Sequence, residues 1–298
     1  MKIVQTLWMK PARSSRDYTH GKKGLAMGWK HIWDNAVSWT LSCLLWKEWY
    51  GNVHLYTDSA GYDFLIDTLR LPYTSAEVIL DGLPYPSELW VMGKVHVYGI
   101  QKEPFLHTDG DAFPFSPLPA RVARAGLVAQ HQERVSYYAD QYASLKGRLT
   151  YEPAAFTALQ GILAEGPAYN NGIIGGSNFG FFHRYAREVK EFVTRNMERL
   201  SPAELGDFNV LCEQALYYGM AREEGLTVTT LLQDGKLPPP HQLWQVRQRT
   251  KQDGYLHPVS IYKHHPLIRR FISDKLRSLY PPYFYRLRHM AAEGRLYN

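Results

Sequence analysis

Cysteine is nearly absent. Only Cys43 and Cys212 occur in 298 residues, and neither has a second Cys or a His at ligand spacing. A disulfide scaffold and a zinc ribbon are therefore both disfavoured. Long apolar runs are missing as well. The uncharged stretch 36–46 is far short of the roughly 18–20 residues that a membrane span requires. The opening residues Met1-Lys2-Ile3-Val4-Gln5 lack the apolar core of an export signal, so a reducing cytoplasm is the expected compartment. No internal repeat is visible. The hydrophobic share of 45% and charged share of 21% are those of an ordinary globular protein and argue against disorder. A chain of this length buries roughly 75% of its unfolded surface on folding, so it needs no staple to hold a core.

Excess charge is scarce except at one end. Of the net +6, residues 264–298 hold +5, from seven basic residues (Arg269, Arg270, Lys275, Arg277, Arg286, Arg288, Arg295) against Asp274 and Glu293. The remainder is almost neutral, which argues against a general nucleic-acid binder and for a basic C-terminal patch. Between Leu267 and Leu287 apolar and basic residues interleave at helical spacing. That pattern suits either an anionic membrane surface or a helix pair packed on the body and broken at Pro281-Pro282. The aromatic residues 280 and 283–285 favour packing.

What is present reads as alternating strand and helix. Apolar runs at 3–8, 53–57, 78–80 and 105–108 predict strands. Helices are predicted over 31–50, ending before Gly51, over 60–70 after Asp58-Ser59, and over 86–101 with Pro86 in its first turn. Further on come a proline-rich loop at 113–120 and mixed helix and linker over 131–165. A Gly-rich segment, 170–176, precedes helices over 178–200 and 207–224, a strand at 226–232 and a stiff linker at 238–240. This order predicts a mostly parallel sheet with helices on both faces, which binds ligands beyond the carboxyl ends of its strands. Asp58 and Asp109-Gly110-Asp111 stand at two such ends. Trp8, closing the first strand, is the aromatic placed best to meet a base; Trp90 and Tyr98 fall on a predicted helix and are expected in the core.

Asp109-Gly110-Asp111 is the strongest chemical signal. Two carboxylates one residue apart after a buried strand can hold a hard divalent cation, Mn²⁺ or Mg²⁺, against a diphosphate. Gly110 lets the backbone turn tightly there. A solvated acidic turn is the plainer alternative, and the apolar strand before it weighs against that. His257 and Lys263, six residues apart, offer a third ligand and a phosphate clamp, or else surface groups in a His-rich tail. Asn170-Asn171-Gly172 can meet sugar hydroxyls or form a turn. Glu213-Gln214 can contact a sugar or lie on an exposed helix face.

Together these segments resemble the GT-A glycosyltransferases, the retaining glycogenin and bacterial lipooligosaccharide galactosyltransferase type. The resemblance rests on Lys94 fifteen residues before Asp109, the Asp-x-Asp itself, Asn170-Asn171-Gly172, Glu213-Gln214, and His257-x-x-Ser260-x-x-Lys263, in that order. Glu213 replaces the more usual Asp, Ser260 replaces Gly, and Gly110 replaces Ala or Ser; the N-terminal nucleotide-binding stretch has no clear match. The resemblance implies an α/β GT-A fold, Rossmann-like, as a catalytic domain over 1–265 with a basic helical tail over 266–298. It implies Mn²⁺ or Mg²⁺ on Asp109, Asp111 and His257, with Lys263 on the diphosphate. Trp8, Asp58, Lys94, Asn171 and Gly172 would face the nucleotide sugar, and Asn170, Glu213 and Gln214 its reactive carbon. The implied activity is retaining hexosyl transfer from a nucleoside-diphosphate sugar such as a UDP-sugar to a glycan, lipid-linked or peptide acceptor. Two other readings of the same residues are a non-catalytic sugar-nucleotide or carbohydrate binder, and a phosphohydrolase with His107 as an extra ligand.

Overall fold

The computed structural model describes residues 1–14, 26–159 and 165–296. Its main elements, in chain order, are β1 (Lys2–Leu7), α1 (Ile32–Tyr50), β2 (Val53–Thr57), α2 (Ser59–Tyr62), β3 (Ser75–Val78), α3 (Val91–Gly99), β4 (Phe105–Thr108), β5 (Phe113–Pro114), β6 (Leu127–Arg134) and α4 (Ser136–Lys146). There follow β7 (Pro167–Gly176), α5 (Phe179–Asn196), α6 (Pro202–Val210), α7 (Leu216–Glu223), β8 (Val228–Thr230), α8 (Leu243–Asp253), β9 (Tyr255–Leu256), α9 (Pro266–Leu279) and α10 (Pro281–Ala292). The class is α/β, as the alternation predicts. Two compact units are formed by interleaved segments: a terminal unit of 3–82, 109–118 and 236–298, and a central unit of 1–2, 83–108 and 119–235. Part of the linker expected over 131–165, residues 160–164, lies outside the described residues. No helix among those described is long and apolar enough to cross a membrane.

In the terminal unit the strands run β3-β2-β1, all parallel, with Ile3 opposite Val53 and His54 opposite Ser75. Helix α1 is buried along nearly its whole length, from Ile32 to Trp46, because its apolar residues are spread over every face rather than along one stripe. Helices α9 and α10 pack on it through Ile268, Phe271, Ile272, Leu276, Phe284, Leu287 and Met290. Arg269 Nη1 reaches the buried Asp34 carboxylate at 3.0 Å. The basic C-terminal segment is thus a helix pair with its apolar face in the core. A two-strand ribbon completes this unit: β5 and β9, antiparallel, with Phe113 opposite Leu256. Cys43 lies fully buried here, and burial pushes its thiol up to about 12.

The central unit orders its strands β4-β7-β6-β8. Here β7 is antiparallel to both neighbours, while β6 and β8 are parallel. Phe105, Phe181, Phe182, Tyr98, Tyr185 and Tyr217 form a continuous aromatic core between α3, α5 and α7. Cys212 is buried in this unit, its thiol raised by desolvation.

Several local expectations shift. The third strand is Ser75–Val78, not 78–80: Ile79 and Leu80 both turn their amides onto Thr57 O, which carries the chain out of the sheet. Residues 60–70 and 207–224 form helices, but each contains a π-helical stretch, Asp63–Thr68 and Leu211–Ala215. The helix expected from Pro86 begins at Val91, whose amide is capped by Asn209 Oδ1 at 3.0 Å. Residues 170–172 lie inside β7 rather than in a turn. Tyr98 is in the core, but Trp90 is 40% exposed, one residue ahead of the helix proper.

Candidate metal centre

The acidic tripeptide follows β4 directly. Three side chains of the terminal unit fix its backbone from below. Ser38 Oγ donates to Gly110 O at 3.0 Å, Ser42 Oγ to Ala112 O at 2.8 Å, and Trp46 Nε1 to Ala112 O at 3.2 Å. Gln5 Nε2 in turn donates to Ser42 Oγ at 2.9 Å. The buried Ser38 and Ser42 hydroxyls of α1 therefore serve to hold a turn. Gly110 is required for room rather than for torsion: a Cβ there would fall 2.4 Å from the Trp39 indole. The neighbour that glycine admits is this ring.

The ribbon brings the distant partner in. Asp111 is two residues before Phe113 of β5, and His257 immediately follows Leu256 of β9, so the antiparallel pairing sets them side by side. His257 Nε2 lies 3.2 Å from Asp111 Oδ1 and 3.9 Å from Asp109 Oδ2. Lys263 Nζ pairs with the other oxygen, Asp111 Oδ2. One ligand atom from each of Asp109, Asp111 and His257 lies within 4.8 Å of the others, close to the span of about 4.2 Å across one octahedral hard ion. Burial disfavours charge on Asp111, but the Lys263 ammonium and then the His257 imidazole outweigh it and hold the carboxyl far below its usual range. Two carboxylates with one imidazole are a donor set that Mn²⁺ or Mg²⁺ accepts, so the residues present fit the group.

Ser260 lies between the two late residues, at φ 49° and ψ −120°. This is a conformation that glycine adopts freely and a β-carbon resists. Ahead of α1, Gly28 and Trp29 border the lysine: the Lys263 ammonium is 5.8 Å from the Trp29 ring centre, and a Cβ on Gly28 would lie 3.7 Å from Lys263 Nζ.

Asp58 is committed to backbone. Its Oδ2 accepts from Met9 N at 2.8 Å and Lys10 N at 3.1 Å, and its Oδ1 caps α2 through Gly61 N at 2.9 Å. It thereby fixes the segment just past Trp8. Trp8 itself is 5% exposed, with its buried Nε1 unpartnered.

The other anticipated residues gather in the central unit. Glu213, buried on the π-helical turn, accepts from Tyr98 OH at 3.0 Å, with Lys94 Nζ at 3.4 Å. Lys94 also stands 5.3 Å over the Trp90 ring. Asn171 Nδ2 donates to Glu213 O at 2.8 Å. Asn170 Oδ1 accepts from Gly172 N at 3.1 Å while its Nδ2 donates to Glu133 Oε1 at 3.1 Å. Glu133 also meets His131 Nε2 at 2.9 Å and Tyr138 OH, and Tyr138 OH contacts Gln214 Oε1. Glu133, His131 and Tyr138 are polar groups that sequence reading missed. No motif marks them, and only the β6–β7 pairing and the α4 position join them to Asn170 and Gln214. His107, considered as an extra metal ligand, belongs to no ligand cluster among the described residues; its ring packs edge-on against Tyr98, 5.0 Å between centres.

The chain belongs to a family of unknown function, DUF6734, whose model matches residues 1–290. No curated protein matches it. Among solved structures, the glycosyltransferase GlyE of Streptococcus pneumoniae TIGR4 aligns at 11% identity and a TM-score of 0.42, covering 99% of this chain. The chain spans only 64% of that protein's length. Mouse xyloside xylosyltransferase 1 aligns at 10% identity and a TM-score of 0.36, over 76% of this chain and 84% of its own.

Proposed function

We propose that the protein is a metal-dependent glycosyltransferase that takes a hexosyl group from a nucleoside-diphosphate sugar, a UDP-sugar, and passes it with retention to a glycan, lipid-linked or peptide acceptor. One observation carries the reading: Asp109, Asp111, His257 and Lys263, about 150 residues apart in sequence, converge at the end of a strand. Asp109, Asp111 and His257 would hold Mn²⁺ or Mg²⁺, which neutralises charge on the departing diphosphate when bound. Lys263 exchanges its partner: in the free protein it satisfies Asp111, and with donor present it pairs with the diphosphate oxygens, a point charge suited to phosphate. Asp58 acts through backbone, orienting the segment that carries Trp8 toward the nucleotide. By the GT-A resemblance, Lys94, Asn171 and Gly172 would position the donor, and Asn170, Glu213 and Gln214 its sugar. The basic exposed side chains Arg270 and Arg277 would let the enzyme sit against an anionic inner membrane surface.

The test is donor turnover. Wild-type protein with Mn²⁺ and a panel of UDP-sugars should release UDP, and Asp111→Asn should not. UDP binding by the wild type without release from any common donor would replace the enzyme by a sugar-nucleotide-binding protein. Absence of both binding and release would remove the proposal.

A further inference from the structure

The candidate metal centre uses one end of the β5–β9 ribbon, where Asp111 and His257 stand. The opposite end, five residues past Asp111 and so at most about 18 Å from it along the chain, opens on a cavity of about 570 Å³. That volume is usual for a small-molecule site. Phe115, the residue after β5, and Phe271 of α9 give it an aromatic floor. Gly254, the residue before β9, ties the end of the ribbon: its carbonyl accepts from Phe115 N at 2.8 Å and Ser116 N at 3.2 Å.

Three cations line this cup. The Arg247 guanidinium stands 5.2 Å from the Phe271 ring centre, and Lys275 Nζ stands 5.1 Å from Phe115 and 5.7 Å from Phe271. Lys251 lies one helical turn from Arg247 on the same wall. Among the described residues none of the three is paired with a carboxylate. The one acidic group lining the cavity, Asp274, is engaged by Arg277 at 3.1 Å and Arg270 at 3.7 Å. Three like charges around one cavity repel one another, and the rings under Arg247 and Lys275 compensate only part of that through cation–π attraction. With Asp274 engaged elsewhere, the three positive groups match a phosphate ester of charge about −1.5 to −2 better than a single carboxylate. The floor offers an apolar or ring-bearing portion a face to lie on.

We infer that this cavity binds a phosphate ester, with the phosphate among Arg247, Lys251 and Lys275 and the organic portion on Phe115 and Phe271. The site stands independently of the sugar-transfer reading. The probe is phenyl phosphate, titrated calorimetrically in EDTA so that the metal centre is not engaged. Wild type should bind it more tightly than inorganic phosphate. The double variant Arg247→Gln/Lys275→Gln and the surface charge reversal Lys251→Glu, each melting as the wild type does, should bind it roughly tenfold or more weakly. Lys263→Ala, in the metal centre, should bind unchanged. Sedimentation with phosphatidic acid vesicles, lost in the double variant, identifies the ester as a lipid headgroup; retention of phenyl phosphate without vesicle capture identifies a water-borne ester. Wild-type affinity in both cavity variants, or loss of binding in Lys263→Ala, overturns the assignment.

Discussion

Ser260 holds a backbone conformation at φ 49° and ψ −120° that a residue with a β-carbon adopts at a penalty of roughly 1–3 kcal/mol. It persists because His257 and Lys263 on either side are both anchored on Asp111. Ser260→Gly removes the strain and adds unfolded-state entropy of about 0.5–1 kcal/mol. The expected net is a gain of roughly 1 kcal/mol, read as a higher urea midpoint. Gly110→Ala should go the other way, since its Cβ meets the Trp39 ring at 2.4 Å; overpacking of this kind costs about 1–3 kcal/mol. Asp111→Asn should lower UDP release by roughly 10³-fold or more and also lower the melting temperature, because it leaves the Lys263 ammonium without its carboxylate. The two aspartates were legible in the sequence because a strand-like run, Phe105–Thr108, leads straight into them. The need for Gly110 was legible, but its cause was not: nothing near it in the chain announces an indole from residue 39.

At the scale of elements, the helix pair α9 and α10 buries seven large apolar side chains against α1. At about 1.5–3 kcal/mol for each such side chain, removing 266–298 forfeits roughly 10–20 kcal/mol, which matches or exceeds the roughly 5–15 kcal/mol by which domains are stable. The truncated chain is therefore expected to aggregate, as light scattering would show. A membrane role is better tested by charge reversal at Arg270 and Arg277, which are 82% and 55% exposed. On β6, burial opposes ionisation of Glu133, but its bonds from His131 and Tyr138 prevail and hold its folded value below the usual 4.5. Between that lowered value and 4.5 the unfolded chain carries the extra proton. The contribution of Glu133 is thus complete above about pH 4.5 and declines as pH falls through the folded value. The urea midpoint of the wild type should exceed that of Glu133→Gln at pH 6, and the gap should shrink below about pH 4.5. Strand and helix alternation was readable because periodicity reports burial. The π-helical turn at Leu211–Ala215 was not, since over a single turn the sequence does not distinguish i→i+5 from i→i+4 bonding. The basic cavity escaped too, because its walls come from three segments with no motif in any of them.

For the whole molecule, an ion bound only by the folded state adds stability as RT ln(1 + [L]/Kd), about 2.7 kcal/mol at a hundredfold excess over Kd. Mn²⁺ should raise the melting temperature by a few degrees, EDTA should reverse the rise, and Asp111→Asn should show none. The ligands all belong to the terminal unit, so the gain first reaches that part of the chain. The two buried cysteines give a way to follow it. Cys43 sits in the terminal unit and Cys212 in the central one, and each is closed to thiol reagents until its own surroundings open. The chain thus carries one natural clock in each half, and the ratio of their labelling rates with and without Mn²⁺ measures how far the halves breathe in step.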